Sequence, residues 1–122
     1  MRRFRGEDLD EMNSWYRARG RSALPIGLLP ETGFFEPGVG AGFLYITDSE
    51  TSLIEGYITN PIASLRARNR AINMITLALL AEAKRRGSSL VVAICRERGI
   101  ERRANKFGLR TIGTYALASR SV

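Results

Sequence analysis

The sequence predicts a single α/β domain over residues 1–122, with a mainly antiparallel mixed sheet and one parallel crossover. Three observations lead to this prediction. Apolar, β-branched runs alternate with segments of helical periodicity along the chain. Turn signals divide residues 33–59 into short runs typical of hairpin strands. A long helical pattern then separates the last of these runs from a short apolar run, which is typical of a right-handed crossover to a parallel strand.

The first half of the chain begins with a short basic strand, Arg2 to Arg5, and continues into a helix. The segment GEDLDEMNSWYRARG has its acidic residues first and its arginines last, and it ends in Gly20. This order matches the helix dipole and a C-terminal glycine stop. Two prolines and two glycines predict a loop over 24–33. Three antiparallel strands should follow, at 33–36, 40–47 and 52–59.

The second half should contain a long helix from Arg66 to Arg86, which is apolar around most of its early circumference and therefore largely buried. It ends in Lys-Arg-Arg-Gly, a typical C-terminal signature. The run SLVVAICRE fits a strand buried on both faces. A short basic helix, RGIERRANKFG, and a final strand, LRTIGTYALAS, complete the order β-α-βββ-α-β-α-β.

Composition excludes several classes of function. The chain has no histidine, which excludes Ser-His-Asp and Cys-His nucleophile systems and His-based zinc sites. Its one cysteine, Cys95, lies in a predicted buried strand, where a thiol is a poor nucleophile. No apolar run approaches the roughly 20 residues of a membrane span, and the basic N-terminus lacks a signal-peptide core. We therefore expect a cytoplasmic protein with no membrane partner and no metal.

The net charge of +7 indicates an anionic partner. Two segments concentrate the positive charge. SLRARNRAIN, residues 64–73, places three arginines where the long helix starts, and residues 96–110 hold six Arg and Lys against two Glu, a net +4. Each segment fits a phosphate-binding site, a nucleic-acid contact or a solvated helix face. Arginines in a first helical turn oppose the helix dipole, which favours a bound anion.

In this order, IEGYITNP, RARNRAINMI, LLAEAKRRG, LVVAI and NKFGLR resemble the GNAT superfamily of acyl-CoA N-acyltransferases. The resemblance covers roughly residues 40 to 119. The family's central motif is Gln or Arg, two residues, Gly, one residue, then Gly or Ala. Arg66, Asn69 and Ala71 match it, with Asn in place of the first glycine. Short chains of this kind also occur in tailed phages, and the stretch LPETGFFEPGVGAGFLYIT is similar to those.

The resemblance implies transfer of an acetyl group from acetyl-CoA to an amine by direct attack, without a covalent enzyme intermediate. The backbone of strand 52–59, including Ile58, would run beside the pantetheine arm. Asn69 and Ala67 stand where glycines are common, and Asn tolerates the left-handed backbone angles that such a turn needs. The implied pyrophosphate site at the helix start consists of Arg66, Ala67, Arg68, Asn69, Arg70 and Ala71.

The resemblance also implies a general base, Glu55, six residues before the proline that closes its strand. The alternative for Glu55 is a carboxylate on the solvent side of a strand. The family's usual acid, a tyrosine on the late helix, falls at Ala104 in this sequence. Neither Tyr57 nor Tyr115 matches that place, and both are expected to pack in the core.

Two other function classes remain open from the sequence. The missing tyrosine and the replaced glycines favour a GNAT-shaped binding protein, viral in origin, that acts on a host protein or nucleic acid without turnover. A plain basic nucleic-acid-binding domain is the weaker alternative. The short 21–32 loop predicts an open acceptor side, which suits a macromolecular amine or a partner chain such as a second copy in a dimer.

Overall fold

The computed structural model describes residues 1–122 and shows an α/β architecture with one five-stranded mixed sheet and three α-helices. The strands are β1 (Arg2–Arg3), β2 (Thr32–Glu36), β3 (Gly40–Ile46), β4 (Thr51–Thr59) and β5 (Leu90–Ala93). The helices are α1 (Leu9–Ala18), α2 (Leu65–Arg85) and α3 (Arg98–Lys106), with 3-10 turns at Gly6–Asp8 and Ile26–Leu28. The sheet order is β1-β2-β3-β4-β5; β4 and β5 are parallel and every other pair is antiparallel.

The two faces of the sheet carry separate hydrophobic cores. Neighbouring residues of a strand point to opposite faces, so Phe43 packs with α1 and Leu44 packs with α2. The sheet is therefore covered on both sides, and its core-facing residues are apolar on both faces. The α1 core consists of Met12, Trp15, Tyr16, Phe35, Ala41, Phe43 and Ile58, and the α2 core of Leu44, Ile54, Ile72, Ile75, Leu79 and Ala83.

Two paired carboxylates hold the ends of helices against the sheet. Asp8 accepts two hydrogen bonds of 2.7 Å from the Arg2 guanidinium, which hold its pKa below the usual range. Glu82, only 5% exposed, accepts hydrogen bonds from Arg3, Arg85 and Arg86. The Arg85 bond is the largest cause that lowers the pKa of Glu82 to about 2. These contacts tie β1 to the start of α1 and to the end of α2.

Most predicted elements are confirmed to within a few residues, but two burial predictions are wrong. Helix α2 is not largely buried: it buries one face, and Met74 and Leu77 on the other are 39% and 56% exposed. Strand β5 is not buried on both faces, since Leu90 is 55% exposed and the strand has only four residues. Both differences arise because β5 is the edge of the sheet and nothing packs outside α2. None of the helices is long and apolar enough to cross a bilayer.

The predicted final strand, 109–119, is wrong. Residues 109–122 have no regular secondary structure, and residues 111–122 are all exposed. The start of this segment is held on α3, because the Leu109 carbonyl accepts from the Asn105 amide and the Thr111 hydroxyl donates to Glu101. A segment with strand propensity forms a strand only when it pairs with a neighbouring strand. Residues 109–119 have the propensity but pair with no strand of this chain.

Candidate functional site

The central feature of the site is a bulge in β4 next to the point where β5 ends. Ala41 pairs with Ile58 and Phe43 with Glu55, so three steps along β4 oppose two steps along β3. Gly56 lies inside this bulge with φ +77°, a left-handed angle that favours glycine. Pairing with β5 stops at Ile54, and therefore residues 55–59 have no strand on their other edge.

Glu55 is the first residue of β4 beyond the part that pairs with β5. Its side chain is 26% exposed, and its Oε1 accepts a 3.0 Å hydrogen bond from the Gly56 amide. Arg96, which follows β5, approaches Oε1 to 3.8 Å. The second carboxylate oxygen, Oε2, is buried and has no hydrogen-bond partner. A buried carboxylate oxygen without a partner is costly, so Oε2 is available to a donor that the chain does not supply.

Two tyrosines lie near Glu55, and sequence reasoning did not single them out for this place. Tyr45 follows Phe43 on the same face of β3, which puts it diagonal to Glu55 across the hairpin. Burial first, and then the Glu55 charge, raises the pKa of Tyr45. Burial also raises the pKa of Tyr16, and Glu55 adds to that shift. The predicted strand ranges 40–47 and 52–59 do not give this placement, because pairing their ends would set Glu55 opposite Leu44, whereas the structure pairs it with Phe43.

Tyr57 packs against the core, as the sequence predicts, and its hydroxyl proton is used in a hydrogen bond to Thr76. The Thr76 hydroxyl donates to the Ile72 carbonyl at 2.7 Å, so the 2.7 Å contact between Tyr57 and Thr76 must use the phenol as donor. Burial raises the pKa of Tyr57 to about 12. Tyr115 differs from the prediction, because it lies on the C-terminal segment and is 80% exposed.

Helix α2 starts earlier than the motif implies. Ser64 is its N-cap, and the Ser64 hydroxyl accepts from the Ala67 amide at 3.1 Å. Asn69 and Ala71 therefore lie inside the helix, and no residue other than glycine has a positive φ. The expected left-handed turn at Asn69 is wrong, because the Ser64 cap has already begun the helix four residues before the motif's first glycine position.

The motif residues point in three directions from α2. Arg66 and Arg70 line an open groove of about 480 Å³ together with Val39 and Glu36. Arg68 turns toward the protein, and its Nε is buried without a hydrogen-bond partner. The side chain of Ala71 is 3% exposed in the core, and that of Ile58 is 4% exposed. Ile58 can therefore contribute only backbone atoms to a ligand.

Asn69 faces α3, and its side-chain oxygen accepts a 2.7 Å hydrogen bond from Arg103. Around this contact lies a wholly polar groove of about 380 Å³ between the two helices. Its arginines and lysine form no salt bridge with the chain, and neither do Arg66, Arg68 and Arg70. The groove is lined by Asn69, Asn73, Gly99, Arg102, Arg103 and Lys106.

The two basic segments of the sequence, 64–73 and 96–110, come together in the structure. Arg103 joins the basic segment 96–110 to the start of α2, which makes one positive region from two sequence segments. The prediction that Cys95 lies in a buried strand is wrong, because β5 ends at Ala93 and Cys95 follows it, half-buried. Burial is the first cause that raises the pKa of its thiol, with further contributions from Glu101 and Glu55. This environment disfavours the thiolate and agrees with a passive role for Cys95.

No protein-family model matches the chain, and no curated protein matches it. Among solved structures, the chain is similar to the protein TTHA1254 from Thermus thermophilus. The crystal structure of a mutant form has a TM-score of 0.65 at 20% identity, and the wild-type structure has 0.61 at 21%. Both comparisons cover 100% of this chain and 98% of the other. At this identity, the likeness shows that the two chains share a fold.

Proposed function

We propose that this protein is a GNAT-type N-acetyltransferase that moves an acetyl group from acetyl-CoA to an amine. The observation that carries the proposal is Arg68. Its Nε is buried without a partner and Arg68 forms no salt bridge, whereas Arg2 and Arg3 pair with carboxylates. An arginine without an acceptor in the chain, in the first turns of a helix where the dipole is positive, fits an anion that the chain itself does not contain.

The residues present fit the phosphate groups of acetyl-CoA. Arg68 would supply charge from the first turns of α2, and Arg102, Arg103 and Lys106 from the groove beside Asn69. Guanidinium groups bind phosphate oxygens through paired, charge-assisted hydrogen bonds. Residues 55–59 of β4, which have no neighbouring strand on the β5 side, would offer backbone groups to the pantetheine arm. Acetyl-CoA supplies the thioester that the amine attacks.

In this proposal Glu55 is the general base. Its carboxylate, on a side chain that is 26% exposed, receives a proton from the acceptor amine, directly or through a water molecule. Loss of that proton frees the nitrogen lone pair for attack. The Gly56 amide keeps Oε1 in place through its 3.0 Å hydrogen bond, and Oε2 has no partner within the chain, so the carboxylate keeps acceptor capacity for this proton.

The tyrosine that usually protonates the departing thiolate in the family has no counterpart in this chain. Ala104 occupies the family's tyrosine position on α3, and the Tyr57 proton is bonded to Thr76. A thiolate is a fair leaving group without an acid, so transfer remains feasible. We expect slow turnover whose rate depends mainly on Glu55.

We propose that the acceptor is an amine on a macromolecule, which binds at an open surface of this protein. The segment between α1 and β2 contains only the 3-10 turn Ile26–Leu28, so no second helix covers this side. Ile26 and Leu28 on that turn are 53% and 64% exposed. A macromolecular acceptor, or a partner chain, would cover these side chains.

The first test is thermal unfolding of the protein with acetyl-CoA. A ligand at about 100 times its Kd stabilises the folded state by about 2.7 kcal/mol, which raises the melting temperature measurably. We expect a saturable rise that increases with acetyl-CoA concentration. No rise at millimolar acetyl-CoA would contradict the proposal.

The catalytic role of Glu55 is tested with Glu55→Gln. We expect transfer to an amine-bearing protein such as polylysine to fall about 100-fold or more, because a positioned base contributes about 10²–10⁴. The thermal response to acetyl-CoA should remain as in the wild type, since Gln keeps the shape of the side chain. Unchanged transfer would remove Glu55 from the mechanism.

A second candidate function is a binding protein of the same fold without turnover, and the missing acid at Ala104 favours it. If the partner is nucleic acid, Arg102, Arg103 and Lys106 would bind backbone phosphates, and affinity would fall steeply with salt. Titration of a DNA duplex at two salt concentrations, with and without acetyl-CoA, separates the two candidates. Salt-sensitive DNA binding without any acetyl-CoA response would favour the binding protein.

A further inference from the structure

Two stretches of the chain that are suited to strand pairing with each other have no partner strand within it. One is the outer edge of β5, which ends the sheet. The other is the C-terminal segment, defined here as residues 111–119, which is exposed throughout. Each presents backbone N–H and C=O groups that a sheet would pair.

The outer edge of β5 lacks the features that normally protect an edge. Residues 90–95 contain no charged side chain and no proline, and the pairing of β5 with β4 is regular. Leu90 is 55% exposed and Ile94 is 38% exposed. Natural sheets cover or charge such edges, because an open apolar edge binds other strands.

The C-terminal segment has the composition of the missing strand. It reads TIGTYALAS and contains no charge and no proline. Ile112, Tyr115 and Leu117 are 69–80% exposed. Uncharged runs of β-branched and aromatic residues are strongly disposed to pair as strands. Leaving these apolar side chains exposed to water is therefore unfavourable unless the segment pairs with the edge of a sheet.

Leu109, just before the segment, and Thr111, its first residue, are held by α3 and not by the sheet. The Leu109 amide donates to the Ala104 carbonyl, and the Thr111 hydroxyl donates to Glu101 at 2.9 Å. A second copy can receive the rest of the segment while these contacts persist. The arrangement is then reciprocal, since each copy has both a free outer edge of β5 and a free C-terminal segment.

From these observations we infer that the C-terminal segment of one copy adds as an outer strand to β5 of a second copy, and the reverse, to form a two-fold dimer. Main-chain hydrogen bonds would hold the added strand, and the apolar side chains would cover Leu90 and Ile94. The inference rests on the sheet edge and the segment, and it is independent of the proposed acetyl transfer.

The test is the molecular mass of the full chain in solution, measured by light scattering after size exclusion from micromolar to submillimolar concentration. We expect twice the monomer mass for the wild type. Thr114→Pro removes a backbone donor from the segment, and Leu90→Lys places a charge on the edge; both should be monomeric. Leu77→Lys, at a similarly exposed apolar site on α2, should stay dimeric.

Three results would overturn the inference. The first is a monomeric wild type over the whole concentration range. The second is a dimer that survives both Thr114→Pro and Leu90→Lys. The third is protection of the amides at residues 111–118 from hydrogen exchange in wild type diluted to the monomer, because the segment would then pair with its own β5. Circular dichroism of each variant confirms that a change in mass is not caused by unfolding.

Discussion

At the scale of single residues, the proposed role of Glu55 depends more on the contacts of its two carboxylate oxygens than on its place in the sequence. The resemblance singled it out as a base, and the structure gives it one fixed and one unpartnered oxygen. Tyr45 and Arg103 could not be predicted in the same way. Arg103 meets Asn69 across 34 residues of chain, and such a contact depends on how α2 and α3 pack.

The position of Glu55 predicts a change in the reactivity of Cys95. The Glu55 charge is one of the causes that raise the pKa of the Cys95 thiol, after burial and Glu101. Glu55→Gln removes that charge, so the thiolate fraction should increase. We expect alkylation of Cys95 by iodoacetamide at about pH 8 to become about two- to fivefold faster. The exposed Glu31→Gln variant should match the wild type, and a slower rate in Glu55→Gln would contradict the geometry.

The hydrogen bond of Tyr57 predicts a structural role for its hydroxyl. Tyr57→Phe removes the 2.7 Å bond to Thr76, while the Thr76 hydroxyl keeps the Ile72 carbonyl as its acceptor. We expect a loss of about 1 kcal/mol in the free energy of unfolding and no loss of acetyl transfer. Urea denaturation and a thiol-release assay measure the two effects. A loss of transfer of about 100-fold at unchanged stability would identify Tyr57 as the acid.

At the scale of elements, local patterns predicted the hairpin strands and α2 because those segments carry their own signals. The runs 40–47 and 52–59 are separated by turn residues, and α2 has helical periodicity and a basic end followed by glycine. The final strand could not be judged from its own residues, since a strand exists only when an edge accepts it. The bulge in β4 was not predicted either, because it appears only in the register with β3.

The bulge predicts that Gly56 cannot be replaced without cost. Gly56→Ala must keep φ near +77°, and its Cβ would lie 3.2 Å from the Phe43 ring. The left-handed angle alone costs about 1–2 kcal/mol in the free energy of unfolding. Gly87→Ala is the matched control, since it has φ +86° and nothing within 4 Å of its Cβ. We expect Gly56→Ala to be the less stable variant in urea, and equal stabilities would show that the bulge relaxes.

At the scale of the whole molecule, the sheet is fixed at one side by an ion-pair cluster that joins distant segments. Arg3 of β1 reaches Glu82 of α2 across 79 residues, and Arg85 and Arg86 bond to the same carboxylate. The sequence indicated Arg85 and Arg86 only as the basic end of a helix, and Arg3 only as part of a short basic strand. Their common acceptor depends on how β1 is placed, so the cluster could not be predicted from local pattern.

This cluster predicts how stability depends on pH. The folded pKa of Glu82, about 2, lies below the ordinary value of 4.5. Its stabilisation is therefore complete above about pH 4.5 and is lost as the pH falls toward 2. Glu82→Gln should lower the free energy of unfolding by about 2 kcal/mol at about pH 7, with a smaller difference from wild type at about pH 3. Urea denaturation at both pH values measures this, and a difference that does not shrink at low pH would contradict the assignment.

Calorimetric titration of acetyl-CoA tests the proposal that the start of α2 holds its phosphates. The titration compares the wild type with Arg68→Glu and with Arg120→Glu, an exposed arginine outside the proposed site. We expect one acetyl-CoA per chain for the wild type, the same affinity for Arg120→Glu, and an affinity weaker by about 100-fold or more for Arg68→Glu. No heat of binding in the wild type, or equal affinity in Arg68→Glu, would contradict it.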